Sequence, residues 1–247
     1  MINTSLITYN DPKSHVAEAY RMLRTNIMFS SIDKKIKTIV VTSAGPGEGK
    51  STVAANFGIT LAHADSKVLI IDCDLRKPTI HKKFGLSNRV GLTNILAQKL
   101  DFRKNMQNVA QIPNLYFITS GPLPPNPSEL VGSEKMRNFM WEIYEEFDYI
   151  IFDTPPVGVV TDAAQLSSFM DGVILVLESG SVEIEAAQRA KALLSNVKAN
   201  ILGVVLNKIE AKANDYYNYY YADEEEPKQN KKKVRHIGDR GKVVNYD

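Results

Sequence analysis

One contiguous segment constrains this 247-residue chain more than any other: an apolar run Ile39-Val40-Val41-Thr42, a turn Ser43-Ala44-Gly45-Pro46-Gly47-Glu48-Gly49, and a helix-like stretch from Ser51 to Ala64 opened by Lys50. A β-branched run, a glycine-rich turn and a helix start, in that order, leave few folds open. The small residues let successive backbone N–H groups turn toward one anion, and the helix dipole adds positive potential at the same point. Lys50 can reach the β and γ phosphates of a nucleoside triphosphate, and the Ser51 hydroxyl can ligate magnesium.

The segment therefore reads as a Walker A loop. Gly45, Gly47, Glu48, Gly49, Lys50, Ser51 and Thr52 are its candidate nucleotide-binding residues, although the first glycine of the strict pattern is Ala44 here. Lys50 is expected to be solvated when no nucleotide is bound.

Five further β-branched runs follow, at Val68 to Asp72, Leu115 to Thr119, Tyr149 to Asp153, Gly172 to Leu177 and Leu202 to Leu206, and all read as buried strands. Helix-like stretches separate them, such as Ser133 to Glu146 and Val182 to Asn196. Strands alternating with helices imply right-handed crossovers, so the expected fold class is α/β, a doubly wound, mostly parallel sheet of the P-loop NTPase type. Ahead of it, Pro12 is expected to open a helix from Lys13 to about Ser30, with Val16, Tyr20, Leu23, Ile27 and Met28 along one stripe. The expected division is an N-terminal helical region over 1–35, a nucleotide-binding domain over 36–210 and a tail over 211–247.

Two more strands end in carboxylates, at the sheet edge where ligands of parallel α/β folds sit. In Ile71-Asp72-Cys73-Asp74-Leu75-Arg76-Lys77, alternation along an extended chain puts Asp72 and Asp74 on one side, facing a magnesium ion or a nucleophile, while Arg76 or Lys77 can meet phosphate. The plainer alternative is a solvated loop. Ile151-Phe152-Asp153 delivers a third carboxylate in the position of a Walker B aspartate. Three acids and one lysine at strand ends suit in-line phosphoryl transfer, where positioning and charge neutralisation supply most of the catalysis. Cys73 is expected to point into the packing on the opposite face, a core filler rather than a redox thiol.

Composition excludes several classes. A single cysteine forms no internal disulfide, and His15, His63, His81 and His236 show no metal-ligand spacing with it. The 30 basic and 28 acidic residues nearly cancel, so no nucleic-acid surface is implied. No apolar run reaches the ~18 residues of a membrane span, which gives a cytoplasmic expectation.

Six of the eleven tyrosines fall in the last 32 residues, mostly in Tyr216-Tyr217-Asn218-Tyr219-Tyr220-Tyr221, beside the acids of Asp223 to Glu226 and ahead of the basic tract Lys231 to Arg235. A solvated tail and a stacking platform for single-stranded nucleic acid are the plain readings, the second opposed by the neighbouring acids.

Taken together, the Walker A loop, the Asp72/Asp74 segment, the Asp153 strand and the tyrosine cluster resemble the bacterial tyrosine kinases that regulate capsule and exopolysaccharide synthesis, in the Gram-positive arrangement with a separate cytoplasmic kinase. Two further stretches share the resemblance: Glu18-Ala19-Tyr20-Arg21-Met22-Leu23-Arg24, similar to an oligomer-interface motif, and Ser120 to Leu130, whose chemistry is not apparent. The resemblance implies ATP and Mg2+ as cofactors, with Lys50 on the phosphates, Ser51 and Asp153 on magnesium, and Asp72 as base for the tyrosine hydroxyl and a further metal contact. Asp74 would support metal or substrate, Arg76 the nucleotide and Asn207 the adenine. It also implies autophosphorylation of Tyr216, Tyr217, Tyr219, Tyr220 and Tyr221, a ring-shaped homo-oligomer through Glu18, Arg21 and Arg24, a transmembrane adaptor that brings the cytoplasmic chain to the membrane, and a cognate phosphotyrosine phosphatase. No nucleic-acid partner is implied, and the protein substrates stay unnamed. The rival is a switch ATPase of the partitioning and cell-division group, which carries an extra lysine early in the loop where this chain has Gly45.

Overall fold

The computed structural model describes residues 6–30 and 35–209, all within one compact unit, Met1–Ile209. The chain runs α1 (Ile7–Asn10), α2 (His15–Ser30), β1 (Thr38–Ser43), α3 (Lys50–Ala62), β2 (Val68–Asp72), α4 (Ile80–Phe84), α5 (Leu92–Gln98), α6 (Phe102–Asn105) and β3 (Gln107–Asn108). It continues through β4 (Leu115–Ile118), α7 (Pro127–Val131), α8 (Glu134–Tyr144), β5 (Tyr149–Asp153), α9 (Asp162–Ser167), β6 (Gly172–Glu178), α10 (Ile184–Asn196) and β7 (Ile201–Asn207). Among the described residues the strands form one sheet in the order β3-β4-β2-β5-β1-β6-β7, parallel except for β3.

Strand alternation explains the two apolar layers. Val40, Leu69, Ile71, Ile150, Phe152, Val173 and Leu175 pack with residues of α5, α8, α9 and α10. Their neighbours Ile39, Val41, Val68, Ile70, Ile151, Ile174 and Val176 pack on the other face with α1, α2 and α3. Nearly continuous apolar runs are what a sheet covered on both faces requires. The crossover through α3 carries the chain from β1 toward β2, whereas β6 lies on the other side of β1, so the order reverses at β1. Its carboxyl end, where the glycine loop begins, is the place such folds reserve for ligands.

Several expectations need correction. Helix α2 begins at His15, because the Ser14 hydroxyl accepts the Ala17 N–H at 3.2 Å and caps it there. Its buried face is Ala17, Tyr20 and Ile27, while Val16 and Met28 are about half exposed at 54% and 52%. Strand β7 is an edge: Val204 and Leu206 are exposed, and among the described residues it pairs only with β6. The two-residue antiparallel β3 was not expected, since Gln107 and Asn108 carry no apolar signal.

Candidate active site

The site is built where β1, β2 and β5 end side by side. Asp153 is in register with Asp72 on one side and with Val41 on the other, so three adjacent strands deliver two carboxylates and the start of the glycine loop. The loop is held by left-handed backbone at Gly47 (φ 84°) and Gly49 (φ 92°). At Gly49 a Cβ would lie 2.1 Å from Asn207 Nδ2, which donates to the Glu48 carbonyl at 2.9 Å; the end of β7 thus braces the loop. Glu48 folds its carboxylate back onto the Gly45 N–H, and burial pushes its carboxyl up against the pull of the Gly45 and Ala44 amides.

Lys50 opens α3 and its ammonium donates to Asp74 Oδ2 at 2.9 Å. The side chain is only 13% exposed, contrary to the expectation of a solvated lysine: the acids at the strand ends draw it in. Burial works against its charge, but Asp153, Asp74 and Asp72 outweigh burial and hold the ammonium above the usual lysine range.

The three acids have different surroundings. Asp74 is spoken for by Lys50 and, through Oδ1, by the Lys77 N–H at 2.9 Å. Asp72 accepts the Asp74 N–H at 3.2 Å and the Thr79 and Ile80 N–H groups at 3.0 Å each, which leaves about one lone pair open. Burial and then the charge of Asp153 push its carboxyl well above the ordinary range. Asp153 is fully buried, neither of its oxygens has a hydrogen-bond partner of ordinary geometry, and burial pushes it up to about 6 against the pull of Lys50 and the Ser51 hydroxyl.

A buried carboxylate with two orphaned oxygens beside a serine hydroxyl fits a magnesium ion. No three His, Cys, Asp or Glu side chains among the described residues are arranged as a self-sufficient metal centre.

One residue at the site had no sequence signal. Lys83 sends its ammonium from α4 to Thr52 Oγ1 at 2.8 Å; burial lowers its pKa, Asp153 opposes that and Lys50 adds to it. A lysine in a short helix ending Lys82-Lys83-Phe84 looks like a solvated charge until Ile80 and Phe84 are known to be buried.

The remaining candidates lie apart. Arg76 is drawn to Ser128 and Asp162. On α2, Glu18 and Arg21 make a local pair at 2.6 Å, while Arg24 donates to the Thr60 carbonyl of α3 at 3.3 Å; the three border a surface hollow of about 330 Å³. Cys73 is fully buried on the other face of the sheet from α3, as the alternation implied, and burial pushes its thiol well up. Tyr216, Tyr217, Tyr219, Tyr220 and Tyr221, with the basic tract, lie outside the described residues. None of the described helices is long and apolar enough to cross a membrane.

Known proteins resemble this chain over most of its length. The model of a family described as NUBPL iron-transfer P-loop NTPase matches residues 34–239. The iron-transfer part of that description finds no ligand set here, since the only cysteine is the buried Cys73. The tyrosine-protein kinase YwqD of Bacillus subtilis is 44% identical over 216 residues, covering 87% of this chain and 91% of that protein. The putative tyrosine-protein kinase CapB of Staphylococcus aureus is 38% identical, covering 89% and 96%. Among solved structures, the chimerical protein CapA2B2 superposes with a TM-score of 0.80 at 40% identity, covering 84% of this chain and 91% of that one.

Proposed function

This chain belongs to the family of bacterial tyrosine-protein kinases built on a P-loop NTPase fold, and from that premise we propose that it transfers the γ-phosphoryl group of ATP to tyrosines of its own C-terminal cluster. The observation that carries this is the gathering of Lys50, Asp72, Asp74 and Asp153 at the mouth of the glycine loop. A nucleotide switch needs the lysine and a metal-binding acid; a proton-accepting carboxylate beside them suits an acceptor hydroxyl.

In this reading Gly45, Gly47, Gly49 and the amides opening α3 cradle the phosphates, Lys50 neutralises them, and Thr52 and Asn207 border the nucleotide. Ser51 and Asp153 would hold magnesium, which would offset the charge that develops as the phosphoryl group transfers. Asp72, with a free lone pair and a raised pKa, takes the phenolic proton as the tyrosine oxygen attacks the γ-phosphorus, the bond to the β-phosphate oxygen breaks and ADP leaves. Asp74 keeps Lys50 aimed into the site.

In this reading the cluster, whose first member Tyr216 follows Asn207 by nine positions, is delivered to a neighbouring subunit. A ring using Glu18, Arg21 and Arg24, a membrane adaptor that activates the kinase, a phosphatase that resets it, and control of capsular or exopolysaccharide synthesis complete the reading. The chimerical CapA2B2 structure supports an adaptor by joining a second component to such a chain.

Intact-mass measurement after incubation with Mg·ATP tests the reaction. Several added phosphates are expected, whereas ADP release with unchanged protein mass would select a switch ATPase. Mixing Lys50→Met protein with an active chain lacking residues 211–247 tests transfer between subunits, for which phosphate should appear on the Lys50→Met tails. The variant Glu18→Ala/Arg21→Ala is expected to lower the rate roughly tenfold at micromolar protein and to recover as concentration rises, because it removes only the effective concentration the ring supplies. A rate unchanged at every concentration would rule out the α2 interface.

A further inference from the structure

The motif Asn126-Pro127-Ser128-Glu129-Leu130 and the helix α9 have no part in the chemistry above, yet they meet at a buried carboxylate. Asp162, in the first turn of α9, is fully buried. Its Oδ1 accepts the Ser128 hydroxyl at 2.5 Å, and the Arg76 guanidinium lies 3.5 Å from the same oxygen while donating to Ser128 Oγ at 2.8 Å. Its other oxygen is buried with no partner. A carboxylate taken out of water costs several kcal/mol unless fully paired, and this one is only partly satisfied, so the arrangement is a poor way to gain stability.

What the cluster holds is the turn that carries the catalytic acids. The Asp74 N–H is tied to Asp72, the Lys77 N–H to Asp74, and Asp74 to Lys50, so the turn is fixed at its start. Just beyond the turn the Thr79 and Ile80 N–H groups return to Asp72, and between these ties the Arg76 side chain links the turn to Ser128 of α7 and Asp162 of α9. The segment leading into α9 is itself fixed to the nucleotide loop: the Val157 N–H donates to the Ser43 carbonyl at 2.9 Å, and a Cβ on Gly158 would lie 2.3 Å from the Ala44 carbonyl oxygen. Asp162 therefore refers the position of the acid turn to the frame of the glycine loop.

We propose that Asp162, acting through Ser128 and Arg76, is a positioning residue that sets the Asp72–Lys77 turn, and with it Asp74, against Lys50 for phosphoryl transfer. The proposal rests on the kinase reading for its rate effects but not for its structural one.

The test uses the full chain and two readouts. Asp162→Asn keeps the shape and one acceptor for Ser128 but removes the charge facing Arg76. It is expected to lower the single-turnover rate of tyrosine phosphorylation ten- to a hundredfold, with affinity for a fluorescent ATP analogue changed less than threefold, because the loop amides are untouched. Hydrogen exchange of the Asp74 and Lys77 amides should quicken at least tenfold while residues 45–52 keep their protection. Ser128→Ala should do the same more weakly, and serves if Asp162→Asn fails to fold. The double variant Asp162→Asn/Ser128→Ala should be little worse than Asp162→Asn alone, since both act on one anchor. A wild-type rate in Ser128→Ala or in folded Asp162→Asn, exchange that quickens equally in the glycine loop, or losses that multiply in the double variant would each overturn the proposal. Absence of phosphotyrosine in the wild-type chain would instead sink the kinase reading, and the exchange measurement, which needs no catalysis, would still decide whether Asp162 holds the turn.

Discussion

Lys50→Met is expected to lower tyrosine phosphorylation by at least a thousandfold and, in the same protein without nucleotide, to lower the melting temperature by roughly 5 to 10 °C near neutral pH. The first effect follows from losing the only side-chain cation placed to meet the β and γ phosphates from the loop itself. The second follows from the ion pair: Lys50 is 13% exposed and Asp74 5% exposed at 2.9 Å, with Asp153 and Asp72 close enough to raise the lysine's pKa. Removing the ammonium strands three buried acids, and breaking a buried pair from one side costs about 3 kcal/mol.

The loss should depend on pH with a definite sign. Without Lys50 the folded-state pKa values of Asp72 and Asp153 move further above their unfolded values, so the folded state binds protons more tightly than the unfolded one. The variant's deficit is therefore largest above the folded pKa values and shrinks toward pH 4 to 5. Melting curves of the apo protein at pH 5 and pH 8 check this, with Lys50→Arg as the control that keeps the charge. A Lys50→Met protein as stable as wild type at pH 8 would show that Asp72 and Asp153 are already neutral there, and the site electrostatics would need redrawing.

Much of this was legible because the informative residues were punctuated by strand ends. The glycine loop, Asp72 and Asp153 each follow an apolar run that is fully buried, and a parallel sheet aligns such ends by register. Alternation also placed Cys73 correctly in the apolar layer. What stayed hidden depends on long-range packing. The strand pairing runs past Asp72, with the Cys73 N–H on the Asp153 carbonyl, but the Asp74 N–H bond to the Asp72 carboxylate that ties the two acids together has no mark in the sequence. Lys83 reaches Thr52 only because its helix docks by Ile80 and Phe84. The stripe on α2 misplaced Val16 and Met28, since helical spacing alone leaves the width of the buried face open, and contact with α1 and α3 selects Ala17, Tyr20 and Ile27. Asp162 had no signal at all: an acid in a helix's first turn is common, and the Ser128 hydroxyl that it accepts lies 34 positions earlier.

Asp153→Asn should move stability the other way while removing activity just as surely. Asp153 is fully buried without a conventional partner, and burial raises its carboxyl to about 6 from the ordinary 3.8. Holding it ionised at pH 7 costs the folded protein on the order of 3 kcal/mol. The amide removes that cost, gives back part of the gain by losing the attraction of Lys50, and is expected to raise the apo melting temperature by a few degrees at pH 8. A group whose folded pKa is raised contributes stability that is full below its unfolded pKa and lost as pH rises through the folded one. The wild type should thus gain on the variant as pH falls from 8, and the difference should vanish near pH 4. Phosphorylation should fall a hundredfold or more in Asp153→Asn, because the neutral amide replaces the one buried carboxylate with both oxygens open to a cation. In the wild type, protonation of Asp153 below about pH 6 should raise the magnesium concentration needed for half-maximal rate, since metal and proton compete for the same oxygens. Opposite stability changes in Lys50→Met and Asp153→Asn, with activity lost in both, are what a strained cluster of acids around one lysine requires. An Asp153→Asn protein that melts below wild type at pH 8 would mean that Asp153 is paired rather than strained, and the place proposed for magnesium would fall with it.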